Sequence, residues 1–239
     1  MDLPQYQIAV ITGTSRGLGK SLAEYYLAKG YTIAGCSRGQ QTIEHSNYYH
    51  TSCNLADEVA VINWIRGVRK QFGGIDVLIC NAGLVRSALY LSVTPGSLME
   101  DFLQTNIAGV FYVMREVSKV MVGKGSGRII SISSTMVALH EEGTAVYSAT
   151  KSAITEMTRV LAKELAPKGI TCNVVAPGLM WTDSSKELAK SLEWKSYMLS
   201  RQTISRVLKD EEICNVTDFF ISPNSSAVTG QVIYLGIVQ

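Results

Sequence analysis

The stretch Ile8-Ala9-Val10-Ile11-Thr12-Gly13-Thr14-Ser15-Arg16-Gly17-Leu18-Gly19 decides the fold. Its first five residues form a continuous apolar run, the pattern of a strand buried on both faces. Leu18, Leu22, Tyr25 and Tyr26 then recur at helix spacing as far as Lys29, and Gly30 is the stop signal. Between strand and helix stand Gly13, Gly17 and Gly19, spaced G-x-x-x-G-x-G. Glycines there let backbone turn tightly and approach a pyrophosphate. The helix that follows offers free N–H groups and the positive end of its dipole.

The same alternation continues outward. Runs at Tyr31–Cys36, Val77–Cys80, Arg128–Ile132, Ile170–Val175 and Val232–Leu235 read as further strands, and Asn47–Cys53 as a weak one. Helical periods fill Asp57–Phe72, Ser97–Val122 and Ala145–Ala166. Continuous apolar strands separated by helices imply a mostly parallel sheet covered on both faces. The expectation is an α/β chain: one doubly wound, Rossmann-type domain over residues 1–239 with a seven-stranded sheet. Residues 179–208 are polar and helical, carry Trp181 and Trp194, and precede the last strand. An excursion at that place is expected to be a lid over the carboxyl ends of the strands, where open α/β sheets bind ligands.

Composition narrows the classes. The 239 residues carry 22 basic and 20 acidic side chains, a net +2, too balanced for nucleic-acid binding by phosphate neutralisation. A charged fraction of 18% beside 46% apolar residues excludes bulk disorder. Cys36, Cys53, Cys80, Cys172 and Cys214 form no C-x-x-C pair and read as reduced core thiols. No metal site is expected. The N-terminus shows no signal pattern and no run reaches the ~18 apolar residues of a membrane span, so a cytoplasmic protein is expected. Lys124, Arg128 and Lys168 read either as solvated charges or as a docking patch for an acidic carrier.

The cofactor can be narrowed too. An NAD site usually places a carboxylate at the end of the second strand, to hold the ribose 2′-OH. Here that strand ends Gly35-Cys36-Ser37-Arg38. Arg38, with Arg16 from the glycine turn, suits a 2′-phosphate, because a guanidinium matches phosphate in a bidentate fork. NADP(H) is therefore expected. Further on, Tyr147 and Lys151 share one helix face at i, i+4. An ammonium beside a phenol favours the phenolate, and a tuned Tyr can exchange a proton with a carbinol oxygen. The strand before that helix ends in Ser133-Ser134-Thr135, and another ends in Asn81-Ala82-Gly83 at the same sheet edge. Asn106 is a polar residue amid apolar neighbours.

Together these elements resemble the short-chain dehydrogenase/reductase family over essentially the whole chain. The matching motifs are Thr12–Gly19, Asn81-Ala82-Gly83, Asn106, Ser134, Tyr147 with Lys151, and Pro177-Gly178 followed by Thr182. The resemblance implies Ser134, Tyr147 and Lys151 as a catalytic triad with Asn106 as fourth member. Tyr147 would be general acid, Ser134 would hold the carbonyl oxygen, and Lys151 would hold the nicotinamide ribose and depress the Tyr147 pKa. Asn106 would support a water-linked proton path to Lys151. The implied cofactor wall comprises Gly13, Ser15, Arg16, Gly17, Leu18 and Gly19, then Ser37, Arg38, Asn54 and Leu55, then Asn81, Ala82 and Gly83. Tyr147, Lys151, Pro177, Gly178 and Thr182 complete it.

Within the family, Gly178-Leu179-Met180-Trp181-Thr182-Asp183 and Val228-Thr229-Gly230-Gln231 look like the 3-oxoacyl-thioester reductase branch. The implied activity is NADPH-dependent reduction of a 3-oxoacyl thioester or related β-keto compound. Alternatives are a secondary-alcohol dehydrogenase and a catalytically silent nucleotide sensor. A homotetramer is implied, with a dimer as alternative, built on the apolar helices at 97–122 and 145–166. Three features depart from the family pattern. Asn54 stands where the family has an adenine-binding Asp, the tail after Tyr234 lacks the usual Gly-Gly, and His140-Glu141-Glu142-Gly143 is unusually charged. That last segment reads as an exposed loop or as selection for a polar substrate.

Overall fold

A computed structural model describes residues 7–86, 88–181 and 192–238. The seven runs form β1 (Ile8–Thr12), β2 (Thr32–Ser37), β3 (Tyr48–Ser52), β4 (Val77–Cys80), β5 (Gly127–Ile132), β6 (Ile170–Pro177) and β7 (Val232–Leu235). They make one sheet in the order β3-β2-β1-β4-β5-β6-β7, with every pairing parallel. The helices are α1 (Gly17–Ala28), α2 (Glu58–Phe72), α3 (Gly96–Phe102), α4 (Gly109–Lys124), α5 (Met136–Leu139), α6 (Ala145–Leu165), α7 (Leu192–Ser200) and α8 (Asp210–Ile221).

Alternation along each strand divides the core in two. From β1, Ile8 and Val10 pack with Trp64, Val117 and Ile154 of α2, α4 and α6. Ala9 and Ile11 face the other way, against Leu22 and Tyr26 of α1 and Ile213 and Phe220 of α8. The five cysteines are all buried and unpaired. Among the described residues, no helix is long and apolar enough to cross a membrane.

The sheet reverses direction of growth between β1 and β4. Val10 lies beside Leu78 and Ile11 beside Ile79, so both strands end at one level and their following loops leave side by side. Such a switch point opens a crevice at the carboxyl edge.

Two expectations are revised here. The helix expected over Ser97–Val122 is three pieces: α3, a π-helical stretch at Leu103–Ala108, and α4. Asn106 lies in the π stretch, fully buried, and its Nδ2 donates to Leu84 O (3.0 Å) and Thr150 Oγ1 (3.2 Å). The widened turn accompanies a side chain shared between two other segments, a setting in which π-bulges recur. The second revision concerns the apolar surplus on α4 and α6. Met114 and Ile154 are buried within the protomer, while Phe111 (44% exposed) and Val160 (56%) face outward.

The excursion before β7 is tied at its feet. Leu208 N donates to Leu179 O (2.8 Å). The buried Gln202 accepts from Leu179 N through Oε1, while its Nε2 donates to Ile204 O (3.0 Å) and Arg206 O (2.8 Å). The short tail contributes as well, since Gly236 O accepts from Ile204 N at 3.0 Å.

Candidate active site

The glycine turn is built from backbone needs. Gly13 (φ +76°) and Gly17 (φ +55°) are left-handed, where a Cβ is strained. At Gly19 a Cβ would stand 2.2 Å from Gly13 O and 2.3 Å from Asn81 Nδ2, so only glycine lets α1 pass that close. Asn81 stitches the neighbouring loop to the turn. Its Nδ2 donates to Thr12 O (2.9 Å), while Thr12 Oγ1 accepts from Asn81 N (3.0 Å) and Ala82 N (2.9 Å). The Asn81 amide is thus a brace whose residue also lines the cleft.

Beside this turn lies a cleft of about 270 Å³. Gly13, Ser15, Arg16, Gly17, Leu18, Gly19, Ser37, Arg38, Asn54, Leu55, Asn81, Ala82 and Gly83 all line it. Asn54 Oδ1 accepts from Ala56 N (3.3 Å), which leaves its NH₂ group for a ligand edge. The α1 N-terminus has no side-chain cap and no acidic residue in its first turn, so its free N–H groups are open to an anion. Among the described residues, neither the Arg16 nor the Arg38 side chain makes an ion pair. Arg86 lines this cleft too, a residue no motif singled out.

A second cavity of about 620 Å³ adjoins the first, sharing Leu18, Asn81, Gly83, Val85 and Arg86. Ser134, Tyr147, Lys151, Pro177 and Gly178 meet in its wall. Ser134 Oγ accepts from Met136 N (3.2 Å), and the Ser134 side chain is near enough to the Tyr147 hydroxyl to influence its titration. Lys151 is buried, donates from Nζ to Ile132 O (2.9 Å), and lies 5.9 Å from the Tyr147 ring centroid. Phe102 packs edge-on to the same ring at 6.4 Å.

Electrostatics correct one expectation. The Tyr147 pKa is raised, not depressed: burial pushes it up, against a smaller lowering from the Ser134 side chain. Burial also holds Lys151 down to about 8, and burial, not the lysine, sets the direction for Tyr147. Asn106 does not line the cavity, although its Oδ1 and Lys151 Nζ both lie beside Gly83. It is fully buried behind the wall, and its Oδ1 and Nδ2 are taken up by Leu84 and Thr150. Thr182 lies outside the described residues, as do residues 182–191 of the expected lid.

The outer walls come from Val85, Arg86, Ala88 and Leu89, from Thr135, Met136 and Glu141 to Gly143, from Leu179 and Met180, and from Trp194, Tyr197 and Met198 of α7. Leu98 and Phe102 of α3 also line the cavity and carried no sequence signal beyond apolarity. The charged loop is only half as exposed as one of its two readings requires. Glu142 is exposed and accepts from Tyr90 OH (2.9 Å), but Glu141 is buried and bonded to α7. The docking patch is not at this site. Lys124, Arg128 and Lys168 sit near the amino ends of β5 and β6, a strand length of roughly 15 Å from the carboxyl edge. Lys124 is also paired with Asp76.

This architecture defines a nucleotide-binding α/β enzyme with a Ser/Tyr/Lys cluster at the carboxyl edge of its sheet. The family profile described as short chain dehydrogenase matches residues 7–193, and the chain belongs to that family as one of its oxidoreductases. The 3-oxoacyl-[acyl-carrier-protein] reductase FabG of Staphylococcus aureus is 33% identical over 237 residues, covering 95% of each chain. A solved structure described as ElxO with NADP bound is similar at a TM-score of 0.89 and 27% identity, over 96% of each chain. A 3-ketoacyl-(acyl-carrier-protein) reductase from Brucella melitensis, complexed with NADH, shares the fold at 0.88 and 21% identity, over 96% of each chain.

Proposed function

We propose that the chain is an NADPH-dependent ketoreductase acting on a 3-oxoacyl thioester or related β-keto compound, with Tyr147 as general acid. One observation carries this reading: the Ser134, Tyr147 and Lys151 side chains share the wall of a cavity that adjoins the glycine-turn cleft, with Asn81, Gly83, Val85 and Arg86 standing in both walls.

The cleft fits a nicotinamide dinucleotide. Uncapped N–H groups at α1 suit a pyrophosphate, and two unpaired guanidinium groups suit an added 2′-phosphate. Relatives of this fold are solved with NADP or with NADH, so Arg16 and Arg38 decide the preference here. Bound in the cleft, the cofactor supplies hydride to the carbonyl carbon. Ser134 donates a hydrogen bond to the carbonyl oxygen and orients it. The Tyr147 O–H bond breaks and its proton goes to that oxygen. With its pKa raised from the ordinary phenol value, Tyr147 holds its proton at neutral pH. Lys151, held to about 8, is poised to return a proton to the phenolate. Asn106 acts by position, holding the Leu84 backbone beside Gly83 and the triad.

Pro177, Gly178 and Thr182 complete the cofactor wall in this reading, and 179–208 is the lid of one domain. The working form is a cytoplasmic homotetramer, with a dimer as the lesser assembly, joined through outward residues such as Phe111 and Val160. Light scattering tests the assembly, and a mass near 26.0 kDa would reject it. The function is tested by following NADPH at ~340 nm with free and carrier-bound ketones. Turnover of β-keto substrates supports the reading, and binding of NADPH without turnover of any ketone overturns it.

A further inference from the structure

We propose that Glu141 is a positioning residue, a latch that holds α7 against the substrate cavity and thereby sets how tightly the ketone is held. This rests on the ketoreductase reading, because it takes the larger cavity as the substrate's.

The carboxylate is gripped from one side by a single helical turn. Its Oε1 accepts from Arg201 Nε at 2.6 Å and its Oε2 from Tyr197 OH at 2.7 Å. Residues 197 and 201 are spaced i, i+4, so both donors reach from one face at the end of α7. That helix contributes Trp194, Tyr197 and Met198 to the cavity wall. On the other side Glu141 belongs to the segment that leads into Tyr147. Its carbonyl accepts from Thr144 N (3.2 Å) and Thr144 Oγ1 (2.7 Å). Thr144 in turn accepts from Ser148 N (2.7 Å) at the start of α6. One short chain of bonds therefore connects the movable wall to the helix that carries Tyr147 and Lys151.

Burial says what the contact is for. The Glu141 side chain is 6% exposed and its partner Arg201 is 46% exposed. An ion pair with one member in water is worth little as stability and separates readily. A buried carboxylate that loses both partners is costly unless water reaches it. The latch therefore favours α7 docked, and releases it at modest cost when the helix swings out and Glu141 is hydrated. His140, left-handed at φ +55°, makes the reversal after α5 that precedes this buried side chain. The feet of the excursion, held by Gln202 and by Leu179–Leu208 bonding, have no such solvent-exposed charged partner.

The test compares Glu141→Gln, Arg201→Gln and their double variant with the intact chain. Hydrogen–deuterium exchange over 192–201 is expected to rise in each variant, while exchange in α1 stays constant. KM for the ketone is expected to rise about tenfold with a smaller change in kcat, and NADPH affinity to move less than about twofold. The double variant should be no worse than the worse single, as for two ends of one contact. If Glu141→Gln does not fold, Tyr197→Phe and Arg201→Gln, altered from the exposed side, carry the same test. Unchanged exchange over 192–201, or effects on KM that multiply in the double variant, overturn the latch. An intact chain that turns over no ketone breaks the functional reading instead, and the exchange arm still decides the latch.

Discussion

The two halves of the carboxyl edge are held by different kinds of contact. On the nucleotide side, the glycine turn and the Asn81 loop are joined by two short side chains, the Asn81 amide and the Thr12 hydroxyl, each bonded to the other segment's backbone. On the substrate side, Glu141 meets Tyr197 of α7 and Arg201 just beyond it through long side chains, and the neighbouring Glu142 meets Tyr90 in the same way beside one backbone bond from Leu89 N to Gly143 O. Contacts to backbone confine the chain and demand glycine at particular positions. Contacts between long side chains at a rim leave the walls free to differ between relatives, which is where specificity resides on a shared scaffold.

The largest expected effect falls where the halves join. Tyr147→Phe keeps the ring beside Phe102 and removes only the proton donor. Turnover should fall by about 10²–10⁴, the range of one general acid, with NADPH affinity nearly intact. Steady-state rates and a fluorescence titration of NADPH check this. Substantial residual reduction of the true substrate would remove Tyr147 from the chemistry and leave the two halves without a shared acid.

Lys151 probes the same junction through stability. Burial lowers it from 10.5 to about 8, so between those pH values the unfolded chain holds a proton that the folded chain has lost. Unfolding then takes up a proton, and the stability this group contributes rises with pH across that window and is flat below it. Relative to Lys151→Met, the intact chain should gain up to roughly 3 kcal/mol from pH ~8 to ~10.5. Urea unfolding of both proteins across that range gives the difference curve. A flat curve would mean that water reaches Lys151.

What was legible in the sequence follows the same division. β1, β4 and β7 have the boundaries that apolar runs and turn residues indicate, and every glycine of the turn lines the cleft. Those features rest on local rules: periodicity, φ sign and close backbone approach. The π stretch at 103–108 was not legible, because it coincides with contacts from Asn106 to Leu84 and Thr150, distant in sequence. Nor was the role of Glu141, whose partners lie 56 and 60 residues away. The direction of the Tyr147 pKa was misjudged for a related reason: spacing reveals a neighbouring lysine, but burial, which wins here, depends on the whole cavity.

Arg38→Asp sharpens the nucleotide side. It removes a phosphate partner and supplies a ribose partner at the end of β2. Losing one charge-assisted contact should weaken NADPH by about 1.5–3 kcal/mol and improve NADH. Calorimetric titration with both cofactors measures it. Unchanged NADPH affinity would assign the 2′-phosphate to Arg16 or Arg86, since both line the same cleft.

The smallest effect is expected at the rim of the substrate side. Tyr90 is 62% exposed and donates to Glu142, itself exposed, at 2.9 Å. The loop is held there independently, because Leu89 N donates to Gly143 O at 3.1 Å. Tyr90→Phe removes a hydrogen bond whose partners water can replace, so stability should move by less than about 0.5 kcal/mol and KM by less than about twofold. Thermal unfolding and the same ketone assay measure both. The contrast with Glu141 is the point of the experiment, since adjacent carboxylates then differ because one is buried and the other is not. A rise in KM of fivefold or more, well above the ~0.5 kcal/mol scale of an exposed contact, would show Tyr90 or Glu142 touching the substrate. The charged loop would then act as a polar recognition element as well as an anchor for α7.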